Sequence, residues 1–410
     1  MFPLPIEGIL KHYAWGSERE LALLLRREPS GKPEAELWLG AHEGGPARLL
    51  RLPEGSSAGD LLELFLERPE ELVGREGMRR GQGRFPFLFK VLAAAEPLSL
   101  QAHPDLEQAR CGFAAEQARG LDPGGPQANY RDASHKPELL YALKPFSCLC
   151  GFCAFEESER RFSEMGLGDQ EGPLRAPFAA YRAALGLGEA RGREAFFRAL
   201  FELGADERAQ VTERVRNSSV EPDGLLSHLR RAAEKYPSDP GLVVALLMNY
   251  VELAPGEALF MPARQLHAYL GGLGLEVMAP SDNVLRGGLT PKRVDVEELA
   301  RVLDFDATSP HLVAPTETRD QDGTIVQAFH APVDEFLLSM ITLPSSGAHR
   351  VQGPCVCLVL EGELLVQTEG NAALVLPSGA ACMIPFGEDK AALSGQARVA
   401  LVSLPAEKGA

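Results

Sequence analysis

A block of amphipathic helix enclosed on both sides by short apolar runs is the feature that most restricts how this chain can fold. Between about Phe155 and Lys235 the segments ERRFSEMG, APFAAYRAALGLG, GREAFFRALFEL and GLLSHLRRAAEKYP place Ala, Leu, Arg and Glu at helical spacing. From Arg84 to Pro104 the run FPFLFKVLAAAEPLSLQAHP is apolar, cut by prolines and free of that spacing, which suits buried strands. After the helices, VVALLMNYVELAPGEALFMPARQLHAYLGGLGLEVMA returns to short β-rich runs broken by Pro and Gly. Strands therefore flank the helices, and the helices read as an insert.

The chain has 410 residues, beyond the length at which one core stops growing, so two or three domains are expected. Pro255-Gly256 is followed six residues after the glycine by Pro262, and Ser378-Gly379 is followed six residues after by Pro385. This weak internal repeat, with the antiparallel style of both regions, indicates a mainly β chain with a helical insert: two jelly-roll barrels plus an α-helical domain. The expected boundaries are residues 1–150 and 241–315 for the catalytic barrel, 151–240 for the insert and 316–410 for the C-terminal barrel. Eleven residues past the glycine stands His267 in the first copy but Lys390 in the second, so the second copy is expected to be structural.

A net charge of −16 disfavours nucleic acid and anionic membrane as partners, since both demand a basic face. No apolar run is long enough to span a bilayer, and MFPLPIEGILKHYAW lacks the pattern of a signal peptide. Seven cysteines in a chain of this size suggest reduced, mostly buried thiols. A cytoplasmic monomer acting on a small molecule is the expectation, and an anionic substrate would need a local basic pocket.

Gln101 and His103 in LSLQAHPD, Glu138 in SHKPE and His267 in LHAYL form a donor set suited to one divalent metal. Gln101 and His103 lie two apart, which on a strand puts both on one face. Taken singly, either histidine reads more readily as a core residue than as a ligand; the constellation shifts those odds. The triplet in FSCLCGFC lacks a fourth ligand and reads as core packing, and His12, His42, His228, His311, His330 and His349 show no partner pattern. EVMAPSDNVLRGGLTPKRVDVEEL concentrates Glu276, Asp282, Asn283, Arg286 and Lys292. Arg286 and Asp282 there form either an ordinary surface salt bridge or part of a substrate loop, in which Arg286, Lys292, Lys90 and Lys136 could hold a phosphate.

The strings YAWG, AELWLGAH, FPFLFKVL, PLSLQAHPD, NYRDASHKPEL, PGEALF, HAYL and LEVMAPSDNVLRGGLTPK, in order over roughly residues 10 to 305, resemble the type I mannose-6-phosphate isomerases of the cupin superfamily. The resemblance implies one zinc ion per chain on Gln101, His103, Glu138 and His267, with Arg286 as an active-site arginine. It places Lys90, Ser99, His135, Lys136, Glu276 and Asp282 around the pocket, with a sugar phosphate as substrate. The implied reaction interconverts mannose 6-phosphate and fructose 6-phosphate by moving a proton between C2 and C1 through a cis-enediol. Glu276, Asp282 and Lys136 are the candidates for the general base; Lys90, Ser99, His135 and Lys292 are expected to bind substrate. The competing readings are a non-haem iron oxygenase of the same fold and a sugar-binding cupin without turnover.

Overall fold

The computed structural model describes residues 1–168, 172–218, 224–306, 309–387 and 390–406. One long strand, His267–Met278, organises the first sheet. Its first residues pair with Leu100–Ala102 and Phe146–Phe152, and its second half pairs with Leu88–Ala94 and Glu138–Ala142, all antiparallel. The change of partners falls at Gly271 and Gly272, where the register shifts and Gly272 adopts φ 136°. A Cβ at Gly272 would lie 2.6 Å from the Phe146 ring, so glycine is what lets the strand pass from one layer to the other.

Cys355–Gln367 plays the same part in the second sheet. It pairs first with Ala381–Ile384 and Ala397–Ser403, then with Leu374–Pro377 and Ala391–Ser394. Each sheet folds over into a two-layer jelly roll with 11 strands among the described residues. The two turns of the sequence repeat also correspond. Gly256 (φ 99°) and Gly379 (φ 87°) each precede a wholly buried strand, Ala258–Met261 and Ala381–Ile384. Lys390, at the position matching His267, is exposed.

Strand alternation distributes the apolar side chains between cores. Leu140 and Ala142 enter the first barrel with Leu92, Cys148 and Tyr269, while Leu139 and Tyr141, on the other face of the same strand, join Leu338, Met340 and Val356 of the second sheet. Burying each such leucine contributes roughly 1.5–3 kcal/mol. The strands Leu4–Glu7 and Arg48–Leu49, from the first 150 residues, pair within the C-terminal sheet, the former against Ala381–Ile384. Hydrophobic pattern marks an N-terminal strand but does not say which open edge it completes.

The insert is helical as expected: Phe155–Glu164, Arg175–Leu185, Glu189–Phe201, Ala205–Asn217 and Gly224–Lys235. Phe155, Phe162, Phe178 and Phe196 form its centre and pack in one core with Leu100, Leu266 and Leu285 from the back of the first barrel. VVALL departs from the sequence reading. Gly241–Leu246 is a sixth helix of this block, and the strand begins only at Met248. A fully buried apolar run has no periodicity to separate helix from strand, and here packing into the helical core decides. Cys148, Cys150, Cys153, Cys355, Cys357 and Cys382 are buried free thiols, and Cys111 is free and exposed. No helix is long and apolar enough to cross a membrane among the described residues.

Candidate metal centre and adjoining cavity

Three of the four proposed ligands meet at the first barrel. Each imidazole is oriented through its far nitrogen: His103 Nδ1 lies 2.6 Å from the backbone oxygen of Asn283, and His267 Nδ1 lies 3.0 Å from that of Gln265. With carbonyl acceptors there, Nδ1 carries the proton and Nε2 offers its lone pair. Both Nε2 atoms face Glu138, at 3.4 Å from Oε1 for His103 and 3.2 Å from Oε2 for His267. The three side chains offer donor atoms within 4.8 Å of one another.

These groups are 1% exposed, and His103 Nε2, His267 Nε2 and Glu138 Oε2 have no hydrogen-bond partner among the described residues. Leaving three buried acceptors unsatisfied is costly unless a cation completes them. Burial, reinforced by the Lys136 ammonium, pushes the His103 imidazole down to about 4, which keeps it a neutral ligand. Burial works against the Glu138 carboxylate, but Lys136, 3.0 Å from Oε1, and His103 outweigh it and hold its pKa well below the usual carboxylate range. Two imidazoles and one carboxylate suit a borderline divalent ion.

Gln101 is paired in register with His267 on one side and Arg286 on the other, so the three residues stand side by side across three strands. Gln101 and Lys136 open onto a cavity of about 390 Å³, also lined by Lys90, Ser99, Asp282, Arg286 and Lys292. Sequence reasoning missed several of its walls: Tyr13, Trp15, Glu36, Trp38 and Thr290. The strings YAWG and AELWLGAH carried that signal without marking which residues face inward.

Ion pairing sorts the four cations. Lys90 Nζ lies 2.9 Å from Glu276 Oε2 and 4.0 Å from Glu36 Oε1, with the Trp38 indole N–H donating to Glu36 at 2.5 Å. Burial would lower the Lys90 pKa, but the Glu276 and Glu36 carboxylates outweigh it and raise it. Lys136 is paired with Glu138. Arg286 has no hydrogen-bond or ion-pair partner among the described residues, and neither has the Lys292 ammonium. Arg286, nearby, lowers the Lys292 pKa, so two uncompensated cations look across one space.

Two expected placements change, and one of two alternatives is set aside. Glu276 is 3% exposed and does not line the cavity; its oxygens are taken by Lys90 and by the Tyr269 hydroxyl, which donates at 2.8 Å. As a neighbour of Lys90 across adjacent strands, it faces that ammonium. His135 turns away and lies 2.6 Å from Glu335 Oε1 of the C-terminal region, outside the cavity lining. Asp282 does not pair with Arg286. It lies 3.4 Å from Nε2 of His42, a histidine to which the sequence assigned no partner, and its side chain remains 59% exposed.

Asn283 ties the site together. Its Oδ1 accepts from the Arg131 and Asp132 N–H groups at 2.6 and 3.2 Å, and its Nδ2 donates to the Asp132 and Ser134 carbonyls at 2.8 Å each. Its own carbonyl holds His103. One buried asparagine thus links the loop leading to Lys136 and Glu138 with the histidine that follows the strand Leu100–Ala102.

A jelly roll that gathers two histidines and a carboxylate beside a cationic cavity has the arrangement of a metal-binding cupin. Residues 3–155 match the phosphomannose isomerase type I catalytic domain. Mannose-6-phosphate isomerase of Escherichia coli K12 is 35% identical over 398 residues, covering 96% of this chain and 97% of that protein. The rat mannose-6-phosphate isomerase is 31% identical, covering 91% and 89%. A zinc-bound crystal structure of mannose 6-phosphate isomerase superposes with a TM-score of 0.85 at 31% identity, over 99% of this chain and 100% of that one. The apo enzyme of Salmonella typhimurium superposes at 0.84, with the same identity and coverage. This chain belongs to the mannose-6-phosphate isomerase family.

Proposed function

We propose that this chain is a zinc-dependent isomerase interconverting mannose 6-phosphate and fructose 6-phosphate, with residues 1–150 and 241–315 supplying the catalytic unit, apart from the strands Leu4–Glu7 and Arg48–Leu49 that join the C-terminal sheet and the helix Gly241–Leu246 that packs with the insert. The observation that carries the reading is the convergence of two buried, unpartnered imidazole nitrogens on Glu138 beside a cavity holding the unpaired Arg286. His103, Glu138 and His267, with Gln101 from the neighbouring strand, would hold the zinc. Bound there, it supplies Lewis acidity toward the substrate carbonyl and the charge that develops on it.

The remaining work falls to side chains. Arg286 and Lys292, whose side chains have no partner among the described residues, take the phosphate or the developing oxyanion, Arg286 through its fork of donors. Asp282 takes the proton between C2 and C1: it is the carboxylate among the three base candidates that faces the cavity and has accessible oxygens. Burial raises its pKa, but the hydrogen bond and charge of His42, with Lys136, hold it below the usual value, so the base is ionised at neutral pH. Such positioned proton transfer contributes about 10²–10⁴-fold. Lys136 donates to the oxygens of the cis-enediol intermediate. Glu276 and Glu36 keep Lys90 charged and in place.

A coupled assay for fructose 6-phosphate formed from mannose 6-phosphate, with chelator and zinc add-back, tests this reading. Turnover abolished by chelator and restored by zinc is expected. Metallated protein without isomerase activity would overturn it.

A further inference from the structure

No residue beyond Lys292 lines the cavity, among the described residues, yet the C-terminal sheet grips the strand that carries Glu138 from behind. At one end of Glu138–Ala142, Arg398 Nη2 donates to the Tyr141 hydroxyl at 3.1 Å, and the Tyr141 ring meets Phe329 edge to face at 5.2 Å. At the other end, His135 Nε2 donates to Glu335 Oε1 at 2.6 Å. Glu335 stands just before the strand Leu337–Leu343, is 7% exposed, and its second oxygen accepts the Asp334 N–H at 3.1 Å. Both oxygens are thus engaged, and the carboxylate cannot swing without losing a bond.

Between His135 and the strand, which begins at Glu138, lie only Lys136 and Pro137. The two sheets otherwise meet through apolar packing, which is non-directional. A hydrogen bond to a buried carboxylate has direction, and it acts three residues from a metal-site oxygen whose position matters to tenths of an ångström. Pro137 removes one backbone torsion from the link, so displacement of His135 passes to Lys136 and Glu138.

We propose that Glu335 is a positioning residue for the metal centre: through His135 it sets the backbone of residues 135–138, and so the aim of Glu138 and Lys136. The C-terminal barrel then serves as the rigid wall against which the catalytic strand is registered. This rests on the zinc-isomerase reading for its kinetic arm but not for its metal arm.

The test uses Glu335→Gln, His135→Gln and their double variant in the full chain. Zinc affinity is read by chelator competition, kcat and KM by the coupled assay, and stability by denaturant unfolding of the apo protein. Each single variant should bind zinc about 10- to 100-fold more weakly, as second-layer changes at metal sites do, and lose kcat with little change in KM. The double variant should be no worse than either single one, and Glu335→Asp should restore part of the loss. Wild-type zinc affinity in both singles, additive losses in the double, or losses that track apo stability would overturn the proposal. If Glu335→Gln does not fold, His135→Gln carries the same comparison alone. Competition for zinc needs no sugar, so wild-type protein that binds zinc without turnover would sink the isomerase reading and still leave the positioning claim decided.

Discussion

Lys90 and Lys136 look like phosphate ligands in the sequence because nothing there shows what neutralises them. Glu276, Glu36 and Glu138 do so in the fold, which leaves Arg286 and Lys292 as the cavity cations without a carboxylate partner among the described residues. Arg286→Ala should lower kcat/KM by about 10²–10³-fold, the loss typical of removing one preorganised donor to developing charge, while zinc content stays near one per chain. Loss of zinc in that variant would overturn the assignment, since a guanidinium has no lone pair to offer a metal and would then be acting through the fold of the site. Glu138→Gln should behave differently: the two imidazole nitrogens would keep only a neutral partner, and zinc and activity should disappear together by metal analysis and assay. A fully metallated, active Glu138→Gln would remove Glu138 from the ligand set.

At the scale of elements, the candidate ligands sit on strands or just past them, where the chain is pinned locally. His103 is followed by Pro104 and the helix Leu106–Ala118, which opens with a capping box. Asp105 Oδ1 accepts the Gln108 N–H at 2.8 Å, and Gln108 Oε1 accepts the Asp105 N–H at 3.1 Å. Asp105→Ala should cost about 1 kcal/mol of stability. It should leave KM unchanged, since the His103 ring is held separately by the Asn283 carbonyl; thermal unfolding and steady-state kinetics check the two halves. A large rise in KM would mean that the cap, not Asn283, sets the histidine. The signature D-x-x-Q of this cap is plain in the sequence. The helix Gly241–Leu246 was not legible, because VVALL is apolar on every side and only its burial among Leu229 and Phe197 settles its form.

At the scale of the whole molecule, one core joins Leu139 and Tyr141 of the catalytic strand to Leu338 and Met340 of the C-terminal sheet, so the barrels are not independent beads. Metal binding should therefore be felt in global unfolding. With free zinc at one hundred times its Kd, the metal should add about 2.7 kcal/mol of stability over the chelated protein, read as a raised Tm. An unchanged Tm on chelation would mean that no ion is bound by the native state in preference to the unfolded one.

Composition and pattern by themselves determined the fold class, the helical insert and the donor types of the metal site. Periodicity, prolines and the spacing in LSLQAHPD and SHKPE are local properties that survive in a linear string. Pairing of charges is not local. That Glu276 serves Lys90 from across a strand pair, that His135 answers to Glu335 at a separation of 200 residues, and that Leu4–Glu7 completes the far sheet were decided by tertiary structure alone. Coulomb and hydrogen-bond energies depend on distances of a few ångströms that chain order does not encode.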